Sequence, residues 1–168
     1  DIMIANPNAP TRILLPLSDI KKLLQEHLNA VIVIDEAYID FADTPHASAV
    51  SLIDKYDNLV VTQTFSKSRS LAGLRVGMAF ANHSLIEALN RYKNSFNSYP
   101  LDRLAQAGAV ASLQDNDYFV ACNQKVIALR HDVTQALTQL GFTVLPSQAN
   151  FVFAKPPASM GETIQVFE

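Results

Sequence analysis

Val31-Ile32-Val33-Ile34-Asp35-Glu36 is the stretch that decides the fold. Four β-branched or apolar residues in unbroken series suit a strand buried on both faces, as the strands of parallel sheets are. The run halts abruptly at two carboxylates. Working outward, Ile2 to Ala5 reads as another strand, Leu59-Val60-Val61-Thr62-Gln63-Thr64-Phe65 as a third and Val76 to Ala81 as a fourth. Between the first two, Pro7 and Pro10 mark a turn-rich stretch. Ser18 reads as the N-cap of a helix with Ile20, Leu23, Leu24 and Leu28 on one face and Lys21, Lys22, Gln25 and Glu26 on the other. Ser48 to Tyr56 is expected to form a short helix, and Ser84 to Lys93 and Leu101 to Leu113 two more. A long helical pattern runs from about Asp117 to Leu140, with Gly141 as its stop signal. Phe142 to Leu145 and Phe151 to Phe153 read as strands of a smaller unit.

Strands alternating with helices predict an α/β domain with a largely parallel sheet flanked by helices. A soft boundary near Asp115 divides it, as residues 1–114, from a connecting long helix and the start of a small α+β domain, residues 115–168. Hydrophobic residues make up 49% of the chain and charged residues 17%, enough apolar surface for a core and too little charge for disorder. A net charge of −3 gives no basic footprint for nucleic acid. The apolar runs are too short to span a membrane, and no signal peptide is visible. Cys122 is the single cysteine, which excludes an internal disulfide and fits a reducing, cytoplasmic compartment. His27, His46, His83 and His131 show no ligand spacing, so no metal site is expected. The chain opens on Asp1, directly before an apolar run, and closes at Glu168 in what reads as the start of a helix. The expectation is an excerpt of a longer polypeptide.

Ligands of open α/β sheets bind at the carboxyl ends of strands. Two polar clusters stand at such ends: Asp35-Glu36-Ala37-Tyr38 and Ser66-Lys67. A buried aspartate needs a cation or strong donors, and a protonated pyridine nitrogen is such a partner; a turn-capping aspartate is the plainer reading. A Schiff-base lysine needs partial desolvation or a neighbouring cation, which Arg69 or Arg75 could supply; otherwise Lys67 is a solvated loop lysine. Arg75 can bind a phosphate bidentately beside the Ser66 hydroxyl, or form a surface ion pair. Tyr38 can offer its hydroxyl to a ring oxygen, or be a half-buried tyrosine with a wet tip. A nucleotide hydrolase is the rival that Val31 to Ala37 imitates. It requires a G-x-x-x-x-G-K-[ST] loop, which this chain lacks, and it leaves Ser66-Lys67 without a role.

The order of these segments resembles the fold-type-I aminotransferases and, among them, the histidinol-phosphate aminotransferase family. Ile34-Asp35-Glu36-Ala37-Tyr38-Ile39-Asp40-Phe41 is similar to that family's aspartate-tyrosine segment. Thr64-Phe65-Ser66-Lys67-Ser68-Arg69-Ser70-Leu71-Ala72-Gly73-Leu74-Arg75-Val76-Gly77 is similar to its Schiff-base lysine segment, the most specific match. Asn6-Pro7-Asn8-Ala9-Pro10-Thr11 resembles its Asn-Pro-Thr-Gly turn, and Asn97 to Leu101 and Ser147 to Phe151 follow in the family's order.

The resemblance implies pyridoxal 5'-phosphate as cofactor, Lys67 as its attachment point and proton shuttle, Asp35 at the pyridine nitrogen and Tyr38 at the ring oxygen. Ser66 and Arg75 would hold the phosphate. It implies amino transfer between L-histidinol phosphate and 2-oxoglutarate in histidine biosynthesis, by a homodimer. Ala9 stands where the family has asparagine, so Asn8 would take over its donor role, and Arg12 replaces a glycine. Those departures keep a non-catalytic binding relative open, and an aromatic amino acid aminotransferase shares the fold. The family's ring-stacking aromatic and substrate arginine belong to segments outside this chain, so the excerpt alone is expected to bind cofactor poorly and catalyse little.

Overall fold

A computed structural model describes residues 1–44 and 46–157. Four strands form its main sheet in the order β1 (Ile2–Ala5), β2 (Ile32–Asp35), β3 (Leu59–Thr64) and β4 (Gly77–Ala81). β1, β2 and β3 are parallel, with Ala5, Asp35 and Thr62 level with one another, and β4 returns antiparallel to β3. Parallel neighbours need a crossover connection, whereas an antiparallel return does not. That geometry leaves the carboxyl ends of β2 and β3 side by side at one edge, where the chain turns into 36–41 and 65–76.

Helix α1 (Leu17–Glu26) supplies Ile20 and Leu24 to the core, against Ile32 and Ile34 of β2 and Leu59 and Val61 of β3. All six are fully buried. Burying a side chain of that size contributes about 1.5–3 kcal/mol. Burial along β2 nevertheless alternates: Val33 and Asp35 on the other face are only partly covered. The strand is therefore dry on one face, not two, because α1 and residues 49–55 pack on that face alone.

Several expected boundaries move. α1 begins two residues early, with Pro16 as its cap, because the Pro16 carbonyl accepts from Asp19 and Ile20 N–H; Ser18 lies inside the first turn. Leu28 falls beyond the helix and is exposed. Residues Ala49–Lys55 form a 3₁₀ helix. Glu36 accepts from both the Ala49 N–H and the Ser48 hydroxyl, and Ser48 Oγ accepts from Val50, which ties its first residues into a tight turn.

α2 (His83–Phe96) and α3 (Arg103–Gln114) are capped by Asn82 and Asp102, whose side chains accept from Leu85 and Ala105 N–H. Ala105 of α3 joins Phe65 and Val76 in a second small core. α4 (Asn116–Gln139) starts at an Asp115 cap and ends at Gly141, whose φ of 86° is the left-handed stop that glycine favours. Beyond it, β5 (Thr143–Val144) pairs antiparallel with β6 (Ala154–Lys155). The second strand thus lies just after Phe151–Phe153, because Ser147 Oγ donates to the Phe151 carbonyl and folds 147–151 into a turn. The helix expected around Glu168 lies outside the described residues. Among the described residues, no helix is long and apolar enough to cross a membrane.

Candidate active site

Asp35 closes β2 with its side chain on the partly covered face of the sheet. Thr62 stands level with it on β3 and donates from Oγ1 to Asp35 Oδ1 at 3.2 Å. Thr62 is not a residue that periodicity points to; its role follows from the strand register, which sequence spacing does not reveal. The neighbouring Glu36 points the other way and is 1% exposed. It accepts from Ser48, Ala49 and the Gln63 amide at 2.6, 2.6 and 2.9 Å. Burial raises its pKa above the usual carboxylate value, while these three donors oppose the rise. Glu36 is thereby a structural tie between β2, β3 and the 49–55 helix, with both carboxylate oxygens engaged within the fold.

Past the end of β2 the chain turns through Tyr38 into a 3₁₀ turn, Ile39–Phe41. Past β3 it enters 65–76. There the Phe65 N–H donates to Val76, and the Leu71 N–H returns to the Phe65 carbonyl, so the loop is closed at its base. Lys67 and Ser66 sit on this closed loop, Lys67 exposed and Ser66 partly buried. The Lys67 Nζ lies 5.4 Å from the centroid of the Tyr38 ring. The two loops are also joined by a short hydrogen bond from the Ser68 hydroxyl to the Asp40 carboxylate. No sequence signal identifies that pair. The structure thus brings Asp35, Tyr38, Ser66 and Lys67 to one edge of the sheet.

Arg69 does not serve as the cation expected beside Lys67. Its guanidinium is committed elsewhere, 3.9 Å from the Phe119 ring centroid and 2.7 Å from the Ser112 carbonyl, on the α3–α4 side. Arg75 is exposed, holds the left-handed conformation at φ 55° and donates from Nη1 to the Ala72 carbonyl at 3.0 Å. Among the described residues it makes no ion pair, so its remaining donors face no acid. Behind it, Gly108 allows α3 to approach the 72–74 turn: a β-carbon there would stand 2.6 Å from Leu74 Cδ1. Asn8 is partly buried after β1, and its side-chain oxygen accepts from the Thr11 hydroxyl at 2.7 Å. That leaves the Asn8 amide nitrogen as its donor toward any ligand.

This donor set suits a flat, phosphorylated cationic ring. One Asp35 oxygen takes Thr62 and the other has no partner among the described residues, so it can meet a ring N–H⁺. A primary amine stands beside an aromatic face, and an arginine free of acidic partners lies at the end of the same loop.

Comparisons with known proteins place the chain in a family. The profile of the family described as aminotransferase class I and II matches residues 2–164. Histidinol-phosphate aminotransferase 2 of Psychrobacter arcticus is 68% identical over 161 residues, covering 92% of this chain and 43% of that protein. Histidinol-phosphate aminotransferase 2 of Rhizobium meliloti is 56% identical, over 97% of this chain and 46% of that protein. Among solved structures, histidinol-phosphate aminotransferase from Sinorhizobium meliloti in complex with pyridoxal-5'-phosphate superposes with a TM-score of 0.80 at 27% identity, covering 89% of this chain and 40% of that one. The chain therefore spans less than half the length of the relatives it matches. With a profile match across nearly all its residues and the polar strand ends in place, the chain belongs to the aminotransferase class I and II family.

Proposed function

We propose that the protein carrying this chain is a pyridoxal-phosphate-dependent aminotransferase acting between L-histidinol phosphate and 2-oxoglutarate in histidine biosynthesis. One observation carries the reading. Asp35 and Lys67 lie at the carboxyl ends of two adjacent parallel strands, with the Tyr38 ring 5.4 Å from the Lys67 Nζ. The choice of substrate is supported by the relatives' names alone, and so is the place in histidine biosynthesis. A homodimer in the cytoplasm goes with that reading, as does a division of the chain near Asp115.

Pyridoxal phosphate, when bound, supplies an electron-withdrawing ring that takes up the electron pair left as an amino acid loses its α-proton. The chain's own residues prepare that chemistry. Asp35 would offer a negative charge to the ring nitrogen's proton, and Thr62 fixes the carboxylate's rotation. Lys67 would be the attachment point, and its amine would be the group that holds and moves the proton. Tyr38 would offer its hydroxyl to the ring oxygen, and its ring is a flat wall beside Lys67. Ser66 and Arg75 would hold the phosphate, and the Asn8 amide would donate to the ring in place of the asparagine replaced by Ala9.

Borohydride trapping of the natural full-length protein with pyridoxal phosphate, followed by peptide mapping, tests the reading. A pyridoxyl group on Lys67 is expected. An unmodified Lys67 in folded protein with cofactor in excess would replace it with a non-catalytic binding relative. Screening histidinol phosphate against aromatic amino acids as donors then tests the substrate.

A further inference from the structure

Arg12 is fully buried, and neither Nη1 nor Nη2 has a hydrogen-bond partner among the described residues. Its backbone holds φ 60°, a conformation that glycine adopts without strain and a long side chain does not. Burial lowers its pKa below the ordinary guanidinium value. Nε has an acceptor, the Thr11 carbonyl at 3.0 Å. A buried charge with unsatisfied donors and a strained backbone is costly, and something must offset it.

The offset lies in two aromatic rings. The guanidinium carbon is 5.7 Å from the Phe151 centroid and 5.2 Å from the Phe153 centroid, within cation–π range of both. The contact joins distant parts of the chain: Arg12 follows β1, whereas the phenylalanines follow α4 and β5. The backbones are tied at the same place, with the Gln148 N–H donating to the Arg12 carbonyl at 3.1 Å. Phe151 then meets Tyr38 edge-on, with centroids 5.3 Å apart and planes at 75°. Tyr38 is the ring beside which the Lys67 Nζ lies. Arg12, Phe151, Tyr38 and Lys67 therefore stand in one continuous row of contacts.

We propose that Arg12 is a positioning residue: its guanidinium fixes the Phe151 ring, and Phe151 in turn fixes the Tyr38 ring against Lys67. Its consequence for cofactor binding rests on the Lys67 assignment proposed above. A phenylalanine has no hydrogen bond to hold its orientation, so a cation seated on its face is the available restraint. Glycine at position 12 relieves the backbone but removes that restraint and leaves space between the two rings.

The test uses the natural full-length protein, without cofactor, reductively methylated with ¹³C-formaldehyde. The Lys67 dimethylamino resonance is assigned by its loss in Lys67→Arg. Arg12→Gly and Phe151→Leu are each expected to shift that resonance toward its position in Tyr38→Leu, and the double variant to shift it no further. Both single variants are expected to weaken pyridoxal phosphate binding about fivefold. Folded Arg12→Gly with an unmoved resonance overturns the proposal, as do additive shifts in the double variant. If Arg12→Gly does not fold, Phe151→Leu carries the test, and an unmoved resonance there overturns it equally. Failure of the Lys67 assignment is separately visible: wild-type protein then traps no pyridoxyl group on Lys67, whatever the resonance does.

Discussion

The Thr62 hydroxyl holds Asp35 from the next strand, donating to Oδ1 across the β2–β3 pair at 3.2 Å. The bond leaves the other carboxylate oxygen without a partner among the described residues and fixes its direction. Thr62→Val keeps the shape and the β-branch but removes the donor. One such bond is worth about 1 kcal/mol. Pyridoxal phosphate affinity, measured by absorbance titration of the full-length protein, is expected to fall about fivefold. Unfolding by denaturant is expected to change little, since Thr62 is only partly buried.

Glu36 carries a pH dependence of stability. Burial raises its folded pKa above the usual 4.5, against the pull of its three hydrogen bonds. For a raised acid the folded state binds the proton more tightly than the unfolded state. The stabilisation is therefore fully present below pH 4.5 and lost as pH rises through the folded pKa. Glu36→Gln cannot titrate. Plotted against pH, the stability of wild type minus that of Glu36→Gln is expected to decline as pH rises through this window. Urea unfolding at stepped pH checks it, and a difference that rises with pH would show the hydrogen bonds outweighing burial.

The placement of Asp35 and Lys67 at strand ends was legible in the sequence because both follow apolar runs whose ends are marked by abrupt polarity. The parallel pairing of β1 to β3 was legible from the alternation of strands with helices. What was not legible depends on register and on contacts between distant segments. Thr62 acquires its role only from standing level with Asp35, and the Asp40–Ser68 bond joins two loops that spacing cannot bring together. Arg69 invites a reading as a cation for Lys67 because it is two residues away, yet the Phe119 ring and the Ser112 carbonyl draw it to α4 and α3. The 3₁₀ form of 49–55 has a similar origin, in a carboxylate thirteen residues earlier that caps its first turn.

Arg130 fastens α4 and the segment after β5 to the end of β2. It is 5% exposed, donates from Nη1 to the carbonyls of Phe41 and Ala149 at 2.7 and 2.8 Å, and pairs through Nη2 with Asp43 at 2.6 Å. Arg130→Met fills the space but strands two carbonyls and removes the arginine from Asp43, which keeps the Gln148 amide on Oδ2 at 3.1 Å. Asp43 is partly exposed and can hydrate, which limits the loss. The expected destabilisation is about 2–4 kcal/mol, read as a lower midpoint in denaturant unfolding. Arg130→Lys is expected to recover only part of it, since a single ammonium cannot reproduce the planar fork.

Arg69 tests whether the loop bearing Lys67 is held from outside. Its guanidinium lies 3.9 Å from the Phe119 centroid and 5.5 Å from that of Phe65, and Nη1 donates to both the carbonyl and the hydroxyl of Ser112. Phe65 is the last buried residue before the loop, so the clamp connects the base of the loop to α3 and α4. Arg69→Met keeps an apolar stem and loses the charge, the planar stack and both hydrogen bonds. The Ser70 and Leu71 amides, which donate to Lys67 and Phe65 within the loop, are the reporters. Their hydrogen exchange is expected to quicken about tenfold, the amount that loss of one stacked, hydrogen-bonded cation of about 1.4 kcal/mol would produce. Exchange in the β2 amides, held by the separate core around Ile32 and Ile34, is expected to stay as it is. Equal acceleration in both places would mean that Arg69 supports the whole domain, and unchanged exchange in the loop would mean that the Asp40–Ser68 bond holds it without Arg69.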